Sequence, residues 1–375
     1  MTFPRVLSWS ALALLAFGLV LGGCNSSSPG NSNPLSSVRN YNGTASVGDF
    51  LTISLDPSAQ TITYNNLTNG QQGTVPYTKN SDGSYAITDP TGNLLVAYEV
   101  PGFVMVVESA KSGPSQNTPA LITAIETAPA SLSSFAGKNF NYLQFRTAAG
   151  GLEIGTVTID GQGNITHDGY WPMTPIAGGG SYFTSGTFPA SSIQEDSSGN
   201  FFTITEQDSS KDVVFGTQNG LWAVDTGNGA VLGLPKAASP SFDPASAGTY
   251  TAIYYEKLNA RTGMGNVETG TPSEGIGTVV VSANASVTIT GSQGNTLATG
   301  TLVPVANTSY LYDGTGNTLS DPCNGLFTVR TTAGGIQQDL FVSFQGNAAI
   351  FASFQTALPF VQGGQYTYFY GVGLK

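Results

Sequence analysis

Apolar and polar residues alternate with a period of two over much of the chain beyond residue 40. Ile53 and Leu55, for example, are separated by a serine and flanked by a threonine and an aspartate. Successive side chains of a strand point to opposite faces, so this period is typical of strands with one buried face. Turn pairs such as Asn69-Gly70 separate the runs at hairpin spacing, because asparagine and glycine accept the positive φ of tight turns. The pattern predicts an all-β protein made of antiparallel hairpins.

One stretch recurs along the chain and indicates an internal repeat. Residues 150–170 have the pattern of a strand, a Gly/Asn turn and a second strand, and part of this pattern returns at 274–292. The shared tetrapeptide Ile-Gly-Thr-Val lies at 154–157 and at 276–279, an offset of 276 − 154 = 122 residues. A fainter copy at 47–66 aligns Gly48 with Gly155, an offset of 155 − 48 = 107 residues. A repeat of about 110 residues is far longer than a solenoid unit, so each copy is expected to have its own core.

Seams rich in alanine, proline and serine, at 127–134 and 236–247, divide the chain between these copies. We therefore predict three tandem antiparallel meander units, at 41–128, 129–240 and 241–375. A meander of about eight strands commonly closes on itself, which removes its unpaired edges, so each unit is expected to be a small barrel or sandwich. The alternative is a single six-bladed β-propeller in which each unit supplies two four-stranded blades. A membrane-spanning barrel is disfavoured, because few strands show the roughly ten alternating residues that such barrels need.

Residues 1–23 have the layout of an export signal. Arg5 and the amino terminus supply positive charge, and an apolar run follows at 6–21. The run is too short, and too soon followed by polar sequence, for a transmembrane helix. It ends in Leu21-Gly22-Gly23-Cys24, which resembles the lipobox of bacterial lipoproteins. In that family the cysteine forms a thioether to diacylglycerol and becomes the new N-terminus after cleavage, so the resemblance implies lipidation of Cys24.

The residues after the cysteine bear on where the protein is attached. Asn25, and not aspartate, follows Cys24, which by analogy with the family implies an outer-membrane lipoprotein that faces either the cell surface or the periplasm. Residues 24–40 contain almost no apolar side chain and are expected to form a flexible tether with a reach on the order of 20 Å. Several acyl chains, at about 0.8 kcal/mol per buried CH₂, would make the attachment stable. The Gly/Thr/Asn-rich composition also resembles that of repeat proteins on bacterial envelopes, which implies no particular activity.

The composition favours a packed core and excludes one class of partner. Only 9% of the residues are charged, against roughly 25% in an average protein. With 40% hydrophobic residues, 20 Phe and 16 Tyr, the chain can bury a large core and is not disordered by charge. The net charge of −11, from 12 Lys and Arg against 23 Asp and Glu, would repel a polyanion, and no basic cluster offsets it. Nucleic-acid binding is therefore excluded.

The chain contains few of the groups that catalysis and metal binding require. The single histidine, His167, cannot make a multi-histidine zinc site and is expected to be an ordinary strand residue. Once Cys24 carries lipid, Cys323 has no cysteine partner and is expected to be a small, half-buried loop residue. The sequence contains no nucleophile elbow, phosphate-binding glycine loop or dinucleotide fingerprint. We expect neither a cofactor nor a metal site.

Carboxylates are concentrated in the second unit. A pair of them at a set separation could hydrolyse glycosidic bonds. With 23 acidic residues in the chain some crowding is expected by chance, so a solvated acidic face is the favoured interpretation. The residues concerned are Glu153, Asp160, Asp168, Glu195, Asp196, Glu206, Asp208 and Asp212.

Three glycine-rich loops, at 160–164, 225–229 and 313–317, have the composition of calcium-binding loops. None continues to the bidentate glutamate that completes an EF-hand site, so hairpin turns are the favoured interpretation. Several aromatic residues could stack on a glycan or a peptide, but core packing is the favoured use. These aromatics are Trp171, Trp222, Tyr142 and the stripe Tyr366, Tyr368 and Tyr370.

These observations favour a lipid-anchored cell-envelope protein with a binding or structural role and without a catalytic site. Its ligand would be a glycan or a protein of the envelope. The alternative is a surface glycoside hydrolase that uses a carboxylate pair in the second unit.

Overall fold

The computed structural model describes residues 37–375, except for 90–91, 93, 102–103, 110–119, 128–131, 147–150, 173–190, 197–200, 206–208, 210, 217–220, 228, 263–264, 269–272, 292–293, 306–322, 334–335 and 355–364. The described residues form 26 strands and two single 3₁₀ turns. The predicted export signal, lipobox and most of the predicted tether lie outside them. In this part of the chain no helix has the length and hydropathy needed to cross a membrane.

The first eight strands form a closed antiparallel barrel, here called barrel 1. Each strand pairs with the next along the chain, and the eighth returns to the first through pairs such as Gly43 with Ala124. The strands are β1 (Arg39–Ala45), β2 (Phe50–Asp56), β3 (Thr61–Asn66), β4 (Gln72–Lys79), β5 (Tyr85–Thr88), β6 (Leu94–Val100), β7 (Val104–Ser109) and β8 (Ala120–Glu126).

The next eight strands form barrel 2, also closed and antiparallel, after a 3₁₀ turn at Leu132–Ser134. Its last strand pairs with its first, for example Leu232 with Leu143. The strands are β9 (Lys138–Arg146), β10 (Gly151–Ile159), β11 (Asn164–Pro172), β12 (Ser191–Glu195), β13 (Phe202–Thr205), β14 (Lys211–Gly216), β15 (Trp222–Asp225) and β16 (Ala230–Pro235).

The third sheet, barrel 3, follows a 3₁₀ turn at Pro244–Ser246 and curls round on itself. Its strands are β17 (Gly248–Thr262), β18 (Gly265–Glu268), β19 (Ser273–Val281), β20 (Ser286–Thr290), β21 (Thr296–Thr301), β22 (Val303–Pro304), β23 (Leu326–Ala333), β24 (Ile336–Gln345), β25 (Ala348–Phe354) and β26 (Gln365–Leu374). Only Leu302 separates β21, which pairs with β20, from β22, which pairs with β23. The run through Leu302 therefore joins the two ends of the sheet, while β18 is a short addition to β17.

The prediction of an all-β chain with three tandem antiparallel meander units is confirmed, and the units are barrel-like. The six-bladed propeller alternative is wrong. A propeller blade leaves its outer strand unpaired on one side, whereas in barrels 1 and 2 the first and eighth strands of the meander pair with each other. The eight strands of barrel 2 match the number that the sequence predicts.

Each barrel encloses an apolar core of its own. Inward-facing side chains occupy all three interiors, and among the most buried are Leu55 and Met105 in barrel 1, Phe140 and Val214 in barrel 2, and Tyr250 and Phe351 in barrel 3. Full burial of an aliphatic or aromatic side chain is worth about 1.5–3 kcal/mol relative to exposure. Apolar burial inside the barrels, and not charge pairing, is therefore the expected main source of stability in this charge-poor chain.

A fourth apolar cluster, which we call the common core, lies between the barrels. It collects outward-facing side chains from all three, such as Val106 of β7, Leu234 of β16 and Ile350 of β25. On these strands both faces are apolar, because alternate residues point into the barrel and into the common core. Polar bonds accompany the packing: the Asn141 amide nitrogen of barrel 2 donates to the Asn324 carbonyl oxygen of barrel 3 at 2.7 Å. The three barrels therefore pack together as one body.

The repeated tetrapeptide occupies the same place in barrels 2 and 3. Gly155 lies on the second strand of barrel 2 opposite Tyr142 of the first, and Gly277 lies likewise opposite Ala252 in barrel 3. A Cβ atom added to Gly155 would lie 2.3 Å from the Tyr142 ring, so the ring rests directly on the glycine backbone. One added to Gly277 would lie 2.0 Å from the Thr290 carbonyl oxygen. The glycine of the motif is therefore required by close packing in both barrels.

Candidate functional site

The best-organised polar cluster among the described residues lies inside barrel 1, around the carboxylate of Glu99. Ala97 and Glu99 are two residues apart on β6, so both side chains point inward, and Ala97 belongs to the barrel interior. The Glu99 side chain is 0% exposed and that of its ion-pair partner Arg39 is 6% exposed. A buried charge is tolerated only when it is paired and hydrogen-bonded, so the surroundings of this carboxylate decide its role.

Four donors surround the Glu99 carboxylate. Arg39 grips both oxygens, with Nε donating to Oε1 at 2.5 Å and Nη2 donating to Oε2 at 2.8 Å. The Tyr41 hydroxyl donates to Oε1, and the Tyr85 hydroxyl donates to Oε2 at 2.7 Å. Arg39 Nη1 also donates to the Ser37 carbonyl oxygen at 3.2 Å. A carboxylate offers about four acceptor positions, so this one is fully satisfied.

The cluster raises the pKa of each residue that donates to the Glu99 carboxylate. The hydrogen bond to Glu99 raises the pKa of the Arg39 guanidinium above its already high value. Burial raises the pKa of the Tyr41 and Tyr85 hydroxyls, and the Glu99 charge raises both further. Burial, followed by the charge of Glu99, also raises the pKa of Glu126, which pairs with Tyr41 across β1 and β8. Both tyrosines therefore stay protonated as donors.

Local sequence explains how the strands bring this cluster together. Arg39 and Tyr41 are two residues apart on β1 and share its inner face, while Tyr85 begins β5 and pairs with Ala97 of β6. The cluster ties the first strand of barrel 1 to its fifth and sixth strands. We call Arg39, Tyr41, Tyr85 and Glu99 the charged lock of barrel 1. The four donors occupy the acceptor positions of Glu99 that a substrate would need, so the cluster connects strands and is not a binding site.

Sequence reasoning did not find this cluster. The predicted tether at 24–40 includes Arg39, yet in the structure Arg39 is the first residue of β1, paired with Leu55 and buried. Glu99 lies 60 residues away along the chain. The available signal was a glutamate at an inward position of the apolar run LLVAYEV, which predicts a buried charge that needs a cation.

The carboxylates singled out in the second unit lie on separate elements where the structure describes them. Asp160 lies in the turn after β10, Glu195 is exposed on β12, and Asp212 is on β14. Asp196 follows β12, Glu153 and Asp168 lie on β10 and β11 with side chains outside the described set, and Glu206 and Asp208 lie outside it altogether. The described part of barrel 2 thus supplies no observation in favour of a catalytic carboxylate pair.

The loop at 160–164 is a hairpin turn. In the loop at 225–229, of which residue 228 lies outside the described residues, the Thr226 amide donates to the Gly229 carbonyl oxygen at 3.1 Å. Asp160 Oδ1 accepts from the backbone amides of Gln162 and Asn164, each at 2.9 Å, and its Oδ2 accepts from the Asn164 amide group at 2.7 Å. Asp225 Oδ1 accepts from the Gly227 amide at 3.0 Å. These bonds close the turns, and the Asn164 bonds lower the pKa of Asp160. The loop at 313–317 lies outside the described residues. The part of the chain that the structure describes contains no group of three or more His, Cys, Asp or Glu residues placed to hold a metal ion.

The described aromatic candidates pack in cores. Tyr142 and Trp222 are buried inside barrel 2, where Trp222 meets Phe140 edge to face at 5.6 Å, and Tyr370 belongs to the common core. Cys323 is 5% exposed in the common core, deeper than the predicted half-buried loop position. The side chains of Trp171, Tyr366, Tyr368 and His167, on β11 and β26, lie outside the described set.

These features define the chain as an all-β protein of three meander barrels with filled interiors. No protein-family model and no curated protein matches it. Among solved structures it is similar to a double mutant of the vaccine antigen transferrin binding protein B (TbpB) from Haemophilus parasuis Hp5, with 8% identity over 90% of this chain and 76% of that chain, at a TM-score of 0.27. A single mutant of the same antigen gives 10% identity, 87% and 66% coverage, and a TM-score of 0.29. A protein of unknown function from Nostoc punctiforme PCC 73102 gives 7% identity, 91% and 96% coverage, and a TM-score of 0.16. At such identities and TM-scores the similarities carry no inference about ligand or activity.

Proposed function

We propose that the chain is a lipid-anchored protein of the outer membrane whose three-barrel body binds or scaffolds other envelope components and has no catalytic centre. The observation that carries this proposal is the filling of the barrels. Inward side chains occupy the three interiors, and the charged cluster at Glu99 is closed by four donors. Small-molecule sites are normally concave, so a ligand would meet this body on its outer surface or end loops.

The proposed membrane attachment depends on lipidation of Cys24 and on the short stretch of chain between Cys24 and barrel 1. Arg39 begins β1 only 39 − 24 = 15 residues after Cys24, so the anchored end of the body is this end of barrel 1. β1 pairs with β2 on one side and β8 on the other, and Arg39 is fixed to Glu99. A flexible tether of this length reaches on the order of 20 Å, which lets the body stand clear of the lipid headgroups.

Two pairs of exposed threonines, one on barrel 1 and one on barrel 3, form the proposed contact surface for an uncharged, hydroxyl-rich partner such as an envelope glycan. The hydroxyls of Thr63 and Thr74 lie 2.9 Å apart on the third and fourth strands of barrel 1 and are exposed. Thr288 and Thr299 lie 3.3 Å apart at the corresponding place in barrel 3, also at the surface. Hydroxyl groups both donate and accept, which suits hydrogen bonding to sugar hydroxyls without charge.

Metabolic palmitate labelling tests the anchor. Wild type should carry the label and Cys24→Ala should lose it. Cys323→Ala is the matched control, since it removes the other cysteine and should keep the label. An unlabelled wild type, or a labelled Cys24→Ala variant, would overturn the lipid anchor.

Protease treatment of intact cells then decides which side the body faces. Digestion of the labelled protein indicates the cell surface, and protection indicates the periplasm.

The binding role is tested with the detergent-solubilised full chain on envelope glycans. We expect retention of wild type and at least a several-fold weaker signal for the double variant Thr63→Val, Thr74→Val. Turnover of a glycosidase substrate, abolished by a carboxylate substitution in barrel 2, would contradict the non-catalytic proposal.

A further inference from the structure

The contact between barrels 1 and 2 contains a buried carboxylate. Asp225 is the last residue of β15, and its side chain points out of barrel 2 because its neighbour Val224 points inward. Its Oδ2 accepts a hydrogen bond at 2.8 Å from the Thr44 hydroxyl, which points out of barrel 1. Asp225 is 4% exposed and Thr44 is 0% exposed, so the bond lies within the junction and not at its rim.

Among the residues that the structure describes, the groups that face Asp225 are neutral or negative. Thr44 and the Gly227 amide are neutral donors, and the strands on either side of β15 place Val213 and Ala230 opposite Asp225. The charge acting on it from barrel 1 is that of a second carboxylate, Asp49, in the turn after β1.

Other charges near the junction do not neutralise this carboxylate. Asp49 accepts a hydrogen bond from the Asn66 amide group at 2.9 Å. On β14, Lys211 and Asp212 precede Val213, and the Lys211 side chain is exposed to solvent. Ionised Asp225 is thus solvated by two neutral donors and repelled by Asp49.

We propose that Asp225 makes the contact between barrels 1 and 2 pH-dependent, so that the two barrels hold each other more firmly when its carboxyl group carries a proton. Protonation removes the repulsion from Asp49 and lets the group donate to Thr44 while it still accepts from Gly227. The physiological consequence rests on the proposed function: in the cell envelope, the pH outside the inner membrane would set the protonation of Asp225.

The direction of this pH dependence follows from the thermodynamic linkage between proton binding and folding. Burial raises the pKa of Asp225, and Asp49 raises it further, against the opposing effect of the two hydrogen bonds. The folded junction therefore binds the proton more tightly than the unfolded chain does. Its contribution to stability is largest below the ordinary carboxyl pKa of about 4, falls as pH rises through the raised pKa, and then levels off.

Hydrogen exchange on the full-length, detergent-solubilised protein tests the proposal between about pH 4.5 and about pH 7.5. After correction for intrinsic rates, amides of β1 and β15 should exchange several-fold faster at the higher pH in wild type. Asp225→Asn is a neutral mimic of the protonated form and should give slow, pH-independent exchange at both strands. Asp160→Asn is the matched control, since it alters a carboxylate of the same turn type at an open site and should keep the wild-type pH dependence.

Asp49→Asn is a second variant that leaves Asp225 intact. It should shift the midpoint of the exchange profile to lower pH, because the like charge is gone. Wild-type pH dependence in folded Asp225→Asn, or an unshifted midpoint in Asp49→Asn, would overturn the proposal. A misfolded Asp225→Asn leaves the decision to Asp49→Asn.

Discussion

Barrels 1 and 2 are each a closed meander of eight strands, but different side chains fill their interiors. Barrel 1 places an ion pair, Arg39 with Glu99, among apolar and tyrosine side chains. Barrel 2 places aromatic rings over glycines, with Tyr142 resting on Gly155. The difference shows that the strand pattern sets the barrel, while the contents of the interior can vary from a charged lock to a glycine–aromatic stack.

The largest expected effect tests the charged lock of barrel 1. Arg39→Met leaves the Glu99 carboxylate buried without its cation, so the free energy of unfolding should fall by about 3–5 kcal/mol. The double variant Arg39→Met, Glu99→Gln should recover most of this loss, because the amide is neutral and can still bond the two tyrosine hydroxyls. Urea denaturation measures both.

The matched control for the lock is Lys211→Met, the same substitution at an exposed cation of barrel 2. It should change the free energy of unfolding by no more than about 0.5 kcal/mol. Equal losses for Arg39→Met and Lys211→Met would mean that the ion pair does not stabilise barrel 1.

A smaller effect is expected from the glycine–aromatic stack of barrel 2. In barrel 1 the corresponding cross-strand pair is reversed in size, with Gly43 on the first strand and Leu51 on the second. Gly155→Leu alone drives a side chain into the Tyr142 ring and should lower the free energy of unfolding by about 1–3 kcal/mol.

Exchanging the large and the small residue of the Tyr142–Gly155 pair tests whether the packing arrangements of barrels 1 and 2 are interchangeable. Tyr142→Gly combined with Gly155→Leu copies the barrel 1 arrangement, and the coupling energy in the double-mutant cycle should be favourable by about 0.5–3 kcal/mol. Gly161→Ala is the control, because an added Cβ there meets nothing within 4 Å. Strict additivity in the cycle would refute direct contact as the reason for the glycine.

The same comparison shows what the sequence can predict. Local period and turn chemistry predict the strands and hairpins, because each is determined by residues a few positions apart. The repeated motif and the seams predict the three units. The sequence also shows the glycine of the repeated motif, but not why glycine is needed there, because only the strand register places Tyr142 against Gly155. Register also corrects the faint first repeat: Leu51, and not Gly48, corresponds to Gly155, which makes the offset 155 − 51 = 104 residues. Gly48 lies in the turn after β1 with a φ of 86°.

The cation that pairs with Glu99 could not be identified from the sequence for a related reason. Arg39 follows a long polar stretch and therefore resembles the end of a tether, and nothing in its neighbourhood points to a partner 60 residues away. The common core was hidden as well, because a strand that is apolar on both faces has no period to reveal which face meets a neighbouring barrel.

The smallest expected effect concerns a tyrosine of barrel 3 whose hydroxyl donates to a neutral acceptor, in contrast to the barrel 1 tyrosines that donate to Glu99. In barrel 3, Tyr250 donates to the Ser246 carbonyl oxygen at 2.6 Å, and burial alone raises its pKa to about 12. The unfolded chain releases this proton near the ordinary tyrosine pKa of about 10, so the contribution of Tyr250 to stability is complete below that pH and is lost as pH rises towards 12.

Tyr250→Phe should lower the free energy of unfolding by about 1 kcal/mol at neutral pH, the contribution of one hydrogen bond, and should reduce the loss of stability at alkaline pH. Tyr41→Phe and Tyr85→Phe should cost more, because their acceptor is the charged Glu99. Urea denaturation at neutral and alkaline pH measures the difference, and a Tyr250→Phe loss as large as that of Tyr85→Phe would show that the charge of Glu99 adds nothing to its tyrosine bonds.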